Sequence, residues 1–207
     1  MLYRIIGPAN SGTSFNALDR IVNSQYENAL YITNENLPSK ILNRLKSYEK
    51  NTNKIIVNKI KVKAIPFGEV TDDTLEVMLD DAVLNGHDCV LIDKLSGISS
   101  AEGECVISHS VFYDDLCERL ANFSKDNDID IIVVQQANRD SYNGTFDEAM
   151  KNFSKNELQD GQEHVMCYKS NLENGTQFVK VYERRNNLIR NFNINQYFDK
   201  KLEEENK

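Results

Sequence analysis

The sequence predicts an α/β domain with a mostly parallel central sheet flanked by helices, and three observations carry that expectation. Short apolar runs alternate with segments of helical period along most of the chain. The runs DCVLID and IDIIVVQQ are continuously apolar, as strands covered on both faces are. A glycine-containing loop joins the first strand directly to a helix. With 207 residues the chain is the size of one domain able to bury its own core. Residues 1–195 are read as that domain, and 196–207 as a charged tail, frayed or disordered.

LYRII is the first strand, and Phe15, Leu18, Ile21 and Val22 mark one face of the helix that follows. ALYIT is the second strand. After Pro38, Ile41, Leu42, Leu45 and Tyr48 stand at helical spacing, and a β segment covers roughly residues 54 to 65. In it Lys59, Lys61 and Lys63 alternate with Ile60, Val62 and Ala64, which reads as a solvated strand face guarding a sheet edge. A third helix is expected near Asp73, with Glu76 completing a capping box and Leu75, Met78, Leu79, Ala82 and Val83 facing the core. DCVLID ends a buried strand on a carboxylate, and a long loop of small residues follows. Phe112, Leu116, Leu120 and Phe123 line the next helix, IDIIVVQQ is the most apolar strand, and residues 138 to 162 form a long polar connection. VMCY and a hairpin around Glu173, Asn174 and Gly175 complete the reading.

The net charge of −8 argues against a dedicated nucleic-acid binder held by a broad basic face. Cys89, Cys105, Cys117 and Cys167 stand far apart, without the spacing of a zinc site or a disulfide framework. No run is apolar or long enough for a signal or membrane segment, so the expectation is a cytoplasmic protein. His87, His109 and His164 show no ligand spacing and receive no role.

The chemistry concentrates in GPANSGTS. Gly7 and Gly12 flank four residues and precede Thr13 and Ser14, a phosphate-binding loop of the form G-x-x-x-x-G-K-S/T in which Thr13 stands at the lysine position. Backbone N–H groups of Gly7, Asn10, Ser11, Gly12, Thr13 and Ser14 are the candidate nucleotide contacts, because a loop that opens a helix points donors at an anion where the helix dipole favours negative charge. Ser14 occupies the position of the Mg²⁺-binding hydroxyl, and Asp93 that of the carboxylate that holds the ion through water. Glu35, after the second strand, is placed to polarise an attacking water.

These residues fall in segments that resemble a known family. YITNENLPSKILNRL is similar to the segment F-S-x-E-M-x-x-x-x-L-x-x-R-L of DnaB-type replicative helicases, and IIVVQQANR to their strand ending S-Q-L-N-R. CVLIDKLSGI resembles the strand ending I-D-Y-L-x-L, and FVKVYERRNN the late strand ending K-x-R-N-G. The matches run in family order from about residue 4 to residue 187 and correspond to the RecA-like motor domain alone. The resemblance implies a RecA-like P-loop NTPase fold, ATP and Mg²⁺ as cofactors, and single-stranded DNA and replication or recombination proteins as partners. It makes Glu35 the catalytic glutamate, Gln136 the γ-phosphate sensor and Arg185 an arginine finger that serves a neighbouring subunit, hence a homo- or hetero-oligomer. Arg139, Lys151 and Lys155, in the connection after Gln136, are the candidate DNA contacts, with Tyr142, Phe146 and Phe153 as stacking residues.

Two departures bear on activity. Thr13 replaces the loop lysine, and Glu183 stands where the family places the lysine partner of the finger, so both are expected to remove positive charge from the phosphate-facing side. Each lost charge-assisted hydrogen bond is worth roughly 1.5–3 kcal/mol, about 10- to 150-fold in affinity. The expected function is therefore a helicase-like component of DNA replication or recombination whose nucleotide binding is weak or lost. Two alternatives stand beside it. One is an active ATP-dependent single-stranded DNA translocase in which Lys94 or Arg184 supplies the missing charge; the other is a non-enzymatic adaptor that docks replication proteins. The Gly-Pro start of the loop also resembles thymidine kinases, without that family's paired zinc cysteines.

Overall fold

The computed structural model of the chain describes residues 1–101, 109–137, 145–154, 161–173 and 176–198. Its elements, in chain order, are β1 (Leu2–Gly7), α1 (Thr13–Val22), β2 (Ala29–Thr33), α2 (Pro38–Thr52), β3 (Ile60–Ala64), β4 (Val70–Thr71), α3 (Asp72–Leu84), β5 (Cys89–Asp93), β6 (Ile98–Ser99), α4 (His109–Asp126), β7 (Asp130–Gln136), α5 (Phe146–Phe153), β8 (Gln162–Glu173), β9 (Thr176–Glu183) and β10 (Leu188–Asn193).

Eight strands form one sheet in the order β10-β9-β8-β1-β7-β5-β2-β3, and β4 pairs with β6 in a separate two-stranded ribbon. Every pairing from β8 to β3 is parallel, while β9 and β10 return antiparallel. The protein is thus α/β with a mostly parallel central sheet.

Alternation along the strands divides the core. Ile5, Tyr31, Leu91, Ile132 and Val165 face α1 and α2, where Leu18, Ile21, Ile41 and Leu45 pack on them. Leu30, Ile32, Val90, Ile92, Ile131 and Val133 face α3 and α4, meeting Leu75, Leu79, Leu116 and Leu120. A third cluster seats Phe146, Ala149 and Phe153 of α5 on Met166 and Tyr182. The two-sided burial explains why β5 and β7 read as continuous apolar runs.

Tyr197, at the start of the segment read as a charged tail, is 1% exposed and stacks on Tyr48 at 5.0 Å. Residues 199–207 lie outside the described residues. The lysine-rich segment is a 3₁₀ turn, Val57–Lys59, followed by β3, an outer strand of the sheet on which Lys61 and Lys63 are exposed. Helix α3 is capped by Thr71, two residues before the expected Asp73: Thr71 accepts from the Thr74 N–H, while Glu76 pairs with Arg119 of α4 instead of closing a box. The polar connection after β7 contains α5, whose Thr145 and Glu148 do form a capping box. Strand β10 lacks the alternation of a half-buried strand: Leu188 and Ile189 are adjacent and exposed, and only Phe192 is buried. Among the described residues no helix is long and apolar enough to cross a membrane.

One polar row crosses the sheet on the α4 and α5 face. Arg4 of β1 and His164 of β8 are neighbours in register, and the Arg184 N–H donates to the His164 carbonyl. Arg4 is held by Asp114 and Gln135, both at 2.9 Å, and Arg184 donates to the Ser154 carbonyl at 3.0 Å. Burial, followed by the two guanidinium charges, pushes the His164 imidazole down to about 4. A folded-state value below the ordinary 6.5 means that the unfolded chain binds more protons between those two pH values. Stability is therefore fully present above pH 6.5 and is lost as the pH falls toward 4, by up to roughly 3 kcal/mol. Urea titrations across that range are expected to show the loss, and the variant His164→Gln is expected to flatten it; an unchanged slope in that variant contradicts the assignment.

Candidate functional site

Four parallel strands end at one edge of the sheet. In register Gly7 of β1 lies beside Gln136 of β7, Val134 beside Asp93 of β5, and Asp93 beside Thr33 of β2. At these carboxyl ends lies a cleft of about 290 Å³, lined by residues of the glycine loop together with Glu35, Asn36, Lys40, Arg44, Lys94 and Gln136. The helices next in chain order after β1 and β7, α1 and α5, lie on opposite faces of the sheet, an arrangement that opens such a crevice in α/β folds.

The loop has the backbone of an anion cradle. Asn10 and Gly12 are left-handed at φ 63° and 80°, and Gly12 caps α1. That helix has no side-chain cap and no acidic residue in its first turn, so its leading N–H groups and the positive end of its dipole are left to the cleft. Both glycines are sterically required. A Cβ on Gly7 would crowd Ser11 Oγ and lie 2.5 Å from the Cys167 carbonyl oxygen, and one on Gly12 would lie 2.5 Å from Val179 Cγ2. Ser11 Oγ is buried without a hydrogen-bond partner among the described residues.

Thr13 lines the cleft at the position of the absent lysine and is 8% exposed. Ser14 donates to Asp93 Oδ1 at 3.0 Å, and the Tyr31 hydroxyl donates to Oδ2 at 2.6 Å. Asp93 is fully buried and does not itself line the cleft; it reaches it through Ser14. Burial raises its carboxyl above the ordinary range, against the two hydroxyl bonds that favour the anion. Ser14 and Asp93 are suited to a hydrated Mg²⁺, with the hydroxyl as direct ligand and the carboxylate behind it.

The cations come from elsewhere than the loop. Lys40 and Arg44, one turn apart on α2, reach into the cleft, and Arg44 lies 4.5 Å from the centre of the Phe15 ring. Lys94, immediately after Asp93, donates to Glu35 Oε1 at 2.7 Å; its side chain is 16% exposed and that of Glu35 46%. The Lys94 backbone is clamped by Asn34, which donates to its carbonyl at 2.6 Å and accepts from its N–H at 3.0 Å. Thr33 Oγ1 accepts from the Asn36 N–H at 3.0 Å and shapes the exit of β2 that presents Glu35. Helical spacing identifies Lys40 and Arg44 as one face of α2, and Arg44 falls on the arginine of the quoted helicase segment, a signal the role assignments did not use.

The structure brings together Gly7, Asn10, Gly12, Thr13, Ser14, Glu35 and Gln136 at one cleft, with Asp93 behind Ser14. It does not bring Arg185 there. Register puts that residue at the other end of the sheet, where its N–H donates to Glu163 Oε1 at 2.9 Å. Arg184 lies on the α5 side and is no substitute for the loop lysine. Glu183, expected to face phosphate, points inward instead to Arg20 and Arg190 at 3.1 and 3.2 Å, tying α1 to the antiparallel strands. Lys151 is exposed on α5, outside the cleft; Phe146, on the same helix and also outside the cleft, is buried beneath Lys180, and Phe153 packs on His164. Arg139, Tyr142 and Lys155 lie outside the described residues.

Asp93 carries a testable energetic signature. Because its folded-state ionisation is opposed by burial, Asp93→Asn is expected to stabilise the protein by about 0.5–2 kcal/mol at pH 7, as relief of a strained functional site does. The measurement is the urea midpoint at unchanged m value; a lower midpoint contradicts the assignment. Neither a protein-family model nor a curated protein matches the chain.

Proposed function

We infer that the chain is a RecA-like, helicase-type P-loop domain whose cleft binds the phosphates of a nucleoside triphosphate with Mg²⁺, and that it acts in DNA replication or recombination. The observation that carries this reading is the uncapped N-terminus of α1, closing a left-handed glycine loop in one cleft with Ser14, Glu35, Gln136 and three cationic side chains. A phosphate chain in the cradle would accept from the α1 N–H groups and meet Lys40, Arg44 and Lys94, while Gln136 stands where the terminal phosphate is sensed. Mg²⁺, when bound, supplies charge neutralisation between phosphate oxygens; this chain contributes Ser14 and, through it, Asp93.

The sheet order supports the RecA-like reading, since the strand bearing Gln136 lies between the loop strand and the Asp93 strand, so one register delivers all three groups. Arg185 is remote from the cleft of its own chain and pairs with Glu163 at 4.0 Å, so as a finger it would serve only a neighbouring subunit. The DNA partner rests on the family resemblance.

Affinity is expected to be weak, because no lysine rises from the loop itself. Calorimetric titration with a non-hydrolysable ATP analogue and Mg²⁺ tests this. Binding by the native protein, tightened about 10- to 150-fold by Thr13→Lys, is the expected outcome. Absence of binding in both proteins would falsify the phosphate site.

A further inference from the structure

We propose that Lys94 is the relocated phosphate lysine of this cleft, and that it serves by exchanging its partner: the ammonium leaves Glu35 for the phosphate, and Glu35 is thereby released to the water side. The proposal rests on the nucleotide reading above and deepens it.

Three observations carry it. The first is position. Lys94 directly follows Asp93, and Asp93 grips Ser14, the residue after the substituted Thr13. The root of the Lys94 side chain is therefore fixed next to the place from which the family's lysine would rise. The second is the contrast between a clamped backbone and an adjustable head. Asn34 accepts from and donates to the Lys94 main chain, and Gly97 leaves the room that Asn34 occupies, where a Cβ would collide with its amide. Only the four-carbon stem remains to move, and lysine is a flexible point charge that changes partner without a fixed fork geometry. The third is competition within one space. Lys94 and Glu35 both line the cleft that holds the loop, and Glu35 is the only carboxylate among its described lining residues.

The consequence differs from a plain loss of the loop lysine. While Glu35 accepts from Lys94, one of its oxygens is committed and the cleft cation is neutralised. A phosphate in the cradle offers the ammonium a more highly charged acceptor, aligned by the α1 N–H groups. Transfer of Lys94 then couples phosphate binding to the freeing of Glu35. Lys40 and Arg44 do not replace it, since they stand on α2 and neither is ion-paired with Glu35 among the described contacts.

A double-mutant cycle decides the matter, using calorimetric titration of the full chain with a non-hydrolysable ATP analogue and Mg²⁺. Lys94→Met keeps the aliphatic stem and removes the charge; affinity is expected to fall about 10- to 150-fold. Glu35→Gln removes the competitor and is expected to tighten binding in the native background and to have much less effect in the Lys94→Met background. Thr13→Lys is expected to tighten binding more in the Lys94→Met background than in the native one, where Lys94 already meets the phosphate; a merely structural role for Lys94 predicts equal gains in the two backgrounds. Circular dichroism melts accompany each variant, and the Thr13→Lys gain itself reports on a folded cleft. If the native protein binds and Lys94→Met binds equally well, the lysine exchange is wrong and the phosphate site stands. Equal effects of Glu35→Gln in both backgrounds likewise overturn the exchange. If no variant binds, the nucleotide reading falls and this proposal with it.

Discussion

The arrangement depends on the hydrogen-bonded register of four parallel strands. Because β1 and β7 end in register at Gly7 and Gln136, and β5 and β2 end in register two residues short of them at Asp93 and Thr33, these groups and the Thr33 exit that presents Glu35 arrive at one edge of the sheet. A slip of one residue in any strand would turn its side chains to the other face and dissolve the cleft. The two-sided core enforces that register. Ile132 and Val134 of β7 belong to one hydrophobic layer while Ile131 and Val133 belong to the other, so neither face can exchange its residues without burying the wrong set.

On this frame the loop takes its shape without a lysine. Its cradle is made by backbone geometry, by Gly7 against Cys167 and by Gly12 against Val179, and these requirements are independent of what stands at position 13. Positive charge enters from the neighbouring elements instead, from α2 through Lys40 and Arg44 and from the end of β5 through Lys94. Glu183 shows the complementary case. At the position of a family lysine it serves a different physical end, pairing inward with Arg20 and Arg190 to fasten the antiparallel strands to α1.

Much of this was legible in the residues. The buried strands β5 and β7 announce themselves by unbroken apolar runs, and the glycine loop by its place between a strand and a helix. The loop residues follow from the glycine spacing, Glu35 from its place at the end of the second strand, and Gln136 from the family resemblance. The rest depended on three-dimensional neighbours. Strand β10 carries apolar residues without alternation, since Leu188 and Ile189 are adjacent and exposed at the sheet margin and only Phe192 turns inward. Helix α5 is short, and its capping box was hidden in a polar stretch. The pairing of Lys94 with Glu35 joins residues far apart in sequence, and nothing local distinguishes it from a solvated lysine. Arg185, read from the order of motifs as a finger for a neighbouring subunit, is carried by an antiparallel return to the end of the sheet opposite its own chain's cleft.

The central claim is that the cleft holds nucleotide phosphates with Lys94 as their lysine, and a crystal structure of the native chain with a non-hydrolysable ATP analogue and Mg²⁺ tests it most directly. The account predicts phosphates against the first turn of α1, the metal on Ser14, and Lys94 Nζ within hydrogen-bonding distance of a phosphate oxygen and parted from Glu35. Phosphates bound in the cleft with Lys94 still on Glu35, or nucleotide lodged away from the glycine loop, would contradict it.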